Sequence, residues 1–240
     1  MISKNQQKMV RQLEQKKFRK KEGLFVAEGP KVVSDLLREN FQPRAIFATE
    51  EWQGRKDVEV SDEELRRLSF LQHPQQVLGV FEIPSVTPAA PLASHLYLAL
   101  DGVQDPGNLG TIIRIADWFG ISAIYCSEET ADAWNPKVVQ ATMGSLARVP
   151  LYYTDLKELL KQTSLPVYGT LLDGENIYKQ PLTSEGIIVM GNEGNGISPK
   201  VRSLIKNRLL IPDFHEGDTA DSLNVAIATA ITCSEFRRRL

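Results

Sequence analysis

Ile187-Ile-Val-Met-Gly-Asn-Glu-Gly-Asn-Gly-Ile-Ser-Pro199 is the stretch on which the fold turns. Ile187 to Met190 are four apolar residues in a row, the form taken by a strand buried on both faces in a parallel sheet. Gly191, Gly194 and Gly196 then let a ligand come close to the backbone, and the carboxyl end of a strand is where parallel α/β sheets hold ligands. Ser198 and Pro199 read as the N-cap and first residue of a helix. Glu193 is the one acid in the loop. The spacing matches neither GxGxxG nor a GK[ST] ending, which argues against dinucleotide and P-loop sites. A plain tight turn is the alternative.

Outward from this stretch, further apolar runs lie at Leu96–Leu100, Ala123–Cys126, Val167–Leu172 and Leu209–Ile211, with helical patterns between them. Alternation of this kind predicts an α/β fold with a parallel sheet over residues 96–240. Before it, residues 83–95 hold three prolines, Pro84, Pro88 and Pro91, among small residues, and read as a linker. Residues 1–82 then form a small α/β domain, with strands at Leu24–Val26, Ala45–Ala48 and Val77–Phe81 and helices at Pro30–Glu39 and Asp62–Leu68.

Composition bounds the class. With 240 residues, 42% hydrophobic and 24% charged, the chain suits two globular domains or one large α/β unit, and not a disordered or fibrous protein. Cys126 and Cys233 sit in apolar stretches without a CxxC pair, so they read as buried free thiols, with no metal site and no disulfide. The basic start lacks a secretory core and no apolar run nears the ~18 residues that span a bilayer, so a cytoplasmic protein without a membrane partner is expected. The net charge of −2 is unevenly spread. The first 21 residues carry eight basic side chains, from Lys4 to Lys21, against Glu14 alone. Such an arm either draws a polyanion or is a solvated, helix-forming tail.

Two more segments carry chemistry. Asp101-Gly-Val-Gln-Asp-Pro-Gly-Asn-Leu-Gly-Thr-Ile-Ile-Arg-Ile-Ala-Asp-Trp-Phe-Gly120 reads as a strand end, a turn and a helix, with Asn108 as N-cap and Gly120 as its stop. Leu109, Ile112, Ile113 and Ala116 form the buried stripe, and Arg114 lies on another face, one turn above Gly110. A guanidinium over a residue without a side chain leaves room for a phosphate; a surface pair with Asp117 is the plainer alternative. Farther on, Leu209-Leu-Ile-Pro212 precedes an acidic loop and a helix from Ser222, its predicted N-cap, with a stripe of Leu223, Ala226, Ile227, Ala230 and Ile231. Ser222 and Asn224 flank that start, and capping alone accounts for both.

In this order, DPGNLGTIIR (105–114), IVMGNEGNGIS (188–198) and LLIP (209–212) followed by SLNVAIATA (222–230) resemble the three motifs of the SpoU methyltransferase family, in the SPOUT superfamily. The resemblance covers residues 96–240. Arg19 to Val33, with Gly23-Leu-Phe-Val-Ala-Glu-Gly29, is similar to the substrate-binding domain that many members carry. The resemblance implies a deep trefoil knot in the C-terminal part, a homodimer with sites at the subunit interface, and S-adenosylmethionine as cofactor. It implies donor contacts from Gly191, Ile211 and Leu223, with Asn192 and Gly196 of the same glycine loop, and a reaction site lined by Asn108, Arg114, Glu193, Ser222 and Asn224. The reaction implied is 2'-O-methylation of a ribose, with RNA as partner, 23S ribosomal RNA of the large subunit ahead of transfer RNA.

That chemistry suits the residue types. A ribose hydroxyl must lose a proton as it attacks, so positioning supplies much of the rate. An arginine holds its proton too tightly for a free base, so Arg114 is expected to stabilise the developing alkoxide, the proton passing to an RNA phosphate. Asn108, Ser222 and Asn224 would orient ribose and backbone, and Glu193 would fix the loop or Asn108. The sequence departs from the family at Asp213–Asp221, longer and more acidic than usual, whose four carboxylates repel phosphate; His215 there, and His73 and His95 elsewhere, have no role. A non-catalytic RNA-binding protein on the same fold is the rival reading. A small-molecule α/β enzyme is the third, without a Ser-His-Asp set to support it.

Overall fold

The computed structural model describes residues 2–215 and 220–238, so Glu216 and Asp218 of the acidic loop, and Arg239, lie outside the described residues. The chain forms two compact units. One takes the chain up to Ser85 together with Asp132–Arg148; the other takes Val86–Ala131 and the chain from Val149 onward.

In the first unit the basic start is helical: α1 (Lys4–Gln12) opens on a capping box between Ser3 and Gln6, and α2 (Lys16–Glu22) ends at Gly23, which turns left-handed at φ 65°. Then follow β1 (Leu24–Glu28), α3 (Pro30–Arg38), β2 (Pro43–Ala48), β3 (Val58–Glu59), α4 (Asp62–Leu68) and β4 (Val77–Glu82). The sheet order is β1-β4-β2-β3, with β4 antiparallel to both neighbours and β3 parallel to β2. Phe25, Phe47 and Phe81 fill its core. The arm is not uniformly available to a polyanion. Arg19 is 2% exposed, pairs with Asp132 at 2.6 Å and donates to the carbonyls of Leu13 and Glu14, while the six lysines stay exposed. Asp35 of α3 is buried and paired with Lys31, Arg38 and Arg148.

The second unit runs β5 (Leu96–Asp101), α5 (Pro106–Trp118) and β6 (Ile124–Cys126). After α6 (Pro136–Ala141), which belongs to the first unit, it resumes with β7 (Leu151–Tyr153), α7 (Leu156–Gln162), β8 (Val167–Asn176), β9 (Gly186–Gly191), α8 (Pro199–Arg202), β10 (Asn207–Leu210) and α9 (Val225–Arg238). The sheet order is β10-β8-β9-β5-β6-β7, every pair parallel, as the apolar runs predict. The edge strand β7 escapes the sequence reading because three residues leave too short an apolar run. From β5 the chain winds outward to β7, then returns to the other side of β5, so the winding reverses between β5 and β9. At such a reversal the loops leaving the two strands diverge and open a crevice at their carboxyl ends.

Helix ends follow local chemistry. Gly120 stops α5 with φ 61°, and Ile121 N–H reaches back to the Ala116 carbonyl, satisfying groups the helix leaves open. The buried face of α9 is a correction: it presents Val225, Ala226, Thr229, Thr232, Cys233 and Phe236, and leaves Leu223, just before the helix, and Ile227 half exposed. The threonines pass as core residues because each hydroxyl donates to the carbonyl four residues back, Thr229 to Val225 at 2.7 Å and Thr232 to Ala228 at 2.8 Å. Both cysteines are free and buried, and burial pushes the Cys233 thiol up to about 12. No helix of the described residues is long and apolar enough to cross a membrane.

Candidate active site

The site begins where β9 and β5 end side by side, Gly191 beside Asp101. Beyond Gly191 the chain closes a tight hairpin: Asn192 and Gly196 exchange backbone hydrogen bonds, each 2.9 Å, and Gly196 takes φ 65°. The Asn192 side chain holds the tip, its Oδ1 accepting from the N–H of Gly194 (3.0 Å) and Asn195 (2.9 Å) and its Nδ2 donating to the Gly102 carbonyl at 2.7 Å. A Cβ on Gly191 would meet Gly196 C and Ile197 N at 2.4 Å, so only glycine lets the backbone fold back here. Buried Asp101 accepts the Ser198 N–H at 2.7 Å, joining the end of β5 to the start of α8. Ser198 and Pro199 do begin that helix.

Glu193 faces the start of α5. Its carboxylate accepts the N–H groups of Gln104 and Asp105, both at 3.2 Å, and the Asn108 amide at 2.9 Å. Burial alone would raise its pKa, but these donors outweigh it and hold the carboxyl below the ordinary glutamate range. Asn108 is not the N-cap. Asp105 is, accepting the Asn108 N–H at 2.8 Å, because Pro106 occupies the first helical position and has no N–H to satisfy. The Asn108 side chain is thereby freed, and its Oδ1 accepts from Asn224 Nδ2 at 2.9 Å. Asn224, in place of the predicted Ser222, caps α9: its Oδ1 accepts from the N–H of Ala226 (2.9 Å) and Ile227 (3.3 Å). One line of hydrogen bonds therefore runs from the glycine hairpin through α5 to α9.

Beside this line lies a cavity of about 470 Å³, within the range of small-molecule sites. Gly191, Asn192, Gly196, Ile211 and Leu223, the five residues expected to contact a donor, all line it, as do Glu193 and Ser222. Asn108 and Asn224 stand behind Glu193. Arg114 is not on the wall: it is exposed on α5, with no hydrogen bond or ion pair among the described residues, so the surface pair with Asp117 is absent. Sequence reasoning missed Asp101, Asp105, Asp173 and Arg202. The Asp-Pro pair at 105–106 signals a cap before a helix; nothing local marks Asp173 or Arg202, which meet only in the folded sheet.

The chain matches the SpoU rRNA Methylase family over residues 95–234 and the MRM3-like substrate binding domain over residues 4–79. It is 32% identical over 238 residues to the 23S rRNA (guanosine(2553)-2'-O)-methyltransferase RlmP of Bacillus subtilis, covering 95% of this chain and 94% of that one. Among solved structures, a protein assigned to the TrmH family of RNA methyltransferases from Porphyromonas gingivalis superposes with a TM-score of 0.90 at 43% identity over the full length of both chains. The AdoMet-bound rRNA methyltransferase from Sinorhizobium meliloti gives 0.89 at 32% identity, over 100% of this chain and 97% of that one. The hairpin falls on the second motif, the Glu193–Asn108–Asn224 line joins all three, and the second and third supply much of the cavity wall; the chain belongs to the SpoU rRNA methylase family.

Proposed function

We propose that this protein transfers a methyl group from S-adenosylmethionine to a ribose 2'-hydroxyl of 23S ribosomal RNA. The observation that carries the reading is the joint placement of Gly191, Gly196, Ile211 and Leu223 on one cavity wall at the carboxyl end of a parallel sheet. The residues fit the donor: Gly191 leaves backbone open where a Cβ would collide, and apolar Leu209, Ile211 and Leu223 suit an adenine ring. When bound, the donor supplies a sulfonium-activated methyl group.

The chain's own residues supply the rest. Glu193, an ionised carboxylate whose oxygens already accept from Gln104, Asp105 and Asn108, braces the loop and Asn108 and is not the base. Asn108, Asn224 and Ser222 orient backbone and ribose. Arg114, free of partners among the described residues, stabilises the alkoxide as it forms without itself taking the proton, which passes to a phosphate of the RNA substrate. The C-terminal part carries the deep trefoil knot of its family, and the first unit holds RNA through the exposed lysines of α1 and α2. Two copies form a homodimer; Trp118 on α5, 84% exposed, and Ile227 on α9, 53% exposed, support an apolar contact there.

Incubating the full chain with radiolabelled S-adenosylmethionine and unmodified large-subunit RNA, then mapping alkali-resistant linkages, tests the reading. A single labelled 2'-O-methyl site is expected. Saturable donor binding without transfer to any RNA would favour the non-catalytic alternative, and no binding at all would remove the methyltransferase reading.

A further inference from the structure

Four charged side chains lie on the wall of the donor cavity among the described residues: Glu193, Asp221, Asp173 and Arg202. Of these, Asp173, on β8, and Arg202, at the end of α8, meet at 2.5 Å. Arg202 is the one cation among the described residues on the wall. Asp173 Oδ2 also accepts from Arg208 Nη1 at 3.0 Å, while Oδ1 has no partner among the described residues. None of these three residues lies in the motifs that identify the family, and the hydrogen-bonded line through Glu193, Asn108 and Asn224 does not reach them.

We infer that Arg202 and Asp173 form the subsite for the amino-acid end of the methyl donor, Arg202 taking its α-carboxylate and Asp173 its α-ammonium. This rests on the donor reading of the cavity. A zwitterion brings one charge of each sign, and the pair offers one guanidinium and one open carboxylate oxygen side by side. The exchange strands no charge. When Arg202 turns to the incoming carboxylate, Asp173 keeps Arg208 and gains the ammonium through its open oxygen. Glu193 cannot serve the ammonium equally, because its oxygens are already engaged by Gln104, Asp105 and Asn108. Both partners are close to half exposed, so the effect on affinity is moderate.

Calorimetric titration of the full chain with three ligands tests this: S-adenosylmethionine, its decarboxylated form, which keeps the ammonium, and 5'-methylthioadenosine, which lacks the whole amino-acid end. The wild-type chain should favour S-adenosylmethionine over the decarboxylated form by roughly tenfold, the scale of a charge-assisted pair at a partly open site. Arg202→Ala should erase that preference, weakening S-adenosylmethionine alone and leaving the decarboxylated form unchanged, which also shows the cavity intact. Asp173→Asn should weaken both charged ligands and spare 5'-methylthioadenosine. If Arg202→Ala weakened all three ligands alike, or none, the subsite assignment would be overturned while the donor reading stood. A wild-type chain that bound none of the three would remove the donor reading itself.

Discussion

Asn224 donates its side-chain amide to Asn108 Oδ1 at 2.9 Å across 116 residues of chain, while its own oxygen caps the helix that follows. A single side chain thus sets where α9 begins and ties that start to α5. Local capping and the assembly of the site are one event.

Replacing Asn224 by Ala should remove the cap and the tie together. Loss of an N-cap costs about 1 kcal/mol, and the Asn108 carbonyl loses its donor as well. Chemical denaturation should show a drop of roughly 1–2 kcal/mol. Asn224→Asp keeps the cap but sets a carboxylate against the Asn108 oxygen, so it should retain most of the stability and still lose methyl transfer. Equal activity in the Asp variant and wild type would contradict the tie.

Glu193 and Glu28 should respond to pH in opposite senses. The donors around Glu193 depress its pKa, so its stabilising contribution is present above the ordinary glutamate value and is lost as pH falls through the folded value. Glu28, buried in the first unit, is pushed up by desolvation against the opposing bonds from Ser69 and Phe70, so its contribution is full at low pH and fades as pH rises from the ordinary value through the folded one. Glu193→Gln should flatten the acid limb of a stability-against-pH curve and Glu28→Gln the limb above it. Curves that match wild type in both variants would defeat the assignment.

Gly191→Ala should abolish donor binding. The added methyl meets backbone atoms at 2.4 Å, and backbone cannot swing aside as a side chain can. Calorimetry should find no saturable heat with S-adenosylmethionine while circular dichroism stays near wild type. Wild-type affinity would show that the hairpin opens freely.

Arg114→Ala should lose transfer and keep donor affinity, because Arg114 is exposed, lies off the cavity wall and has no partner among the described residues whose loss would unsettle the fold. A fall of roughly 10²–10³ in kcat is the scale for removing one charge-stabilising group from a reaction site. Turnover within a few-fold of wild type would eliminate the role given to Arg114.

Local chemistry determined a good deal by itself. The run Ile187–Met190 needs burial on both faces, Ser198-Pro199 starts a helix, and Gly120 stops one, because each depends on neighbours within a turn or on a backbone angle open to one residue type. The same rules mislead where two caps compete: Asn108 and Ser222 are sound N-caps in isolation, yet Asp105 and Asn224 take those positions. Only tertiary structure decided that outcome, because an asparagine amide has spare donors and acceptors that partners 85 and 116 residues away can claim. It also decided the buried face of α9, where Ala226 of the predicted stripe stays buried but back-bonded threonines take the place of Ile227, the burial of Arg19 against Asp132, and the meeting of Asp173 with Arg202. Hydrogen bonds and ion pairs between distant segments leave no period in the sequence, and they appear only once the strands have taken their order in the sheet.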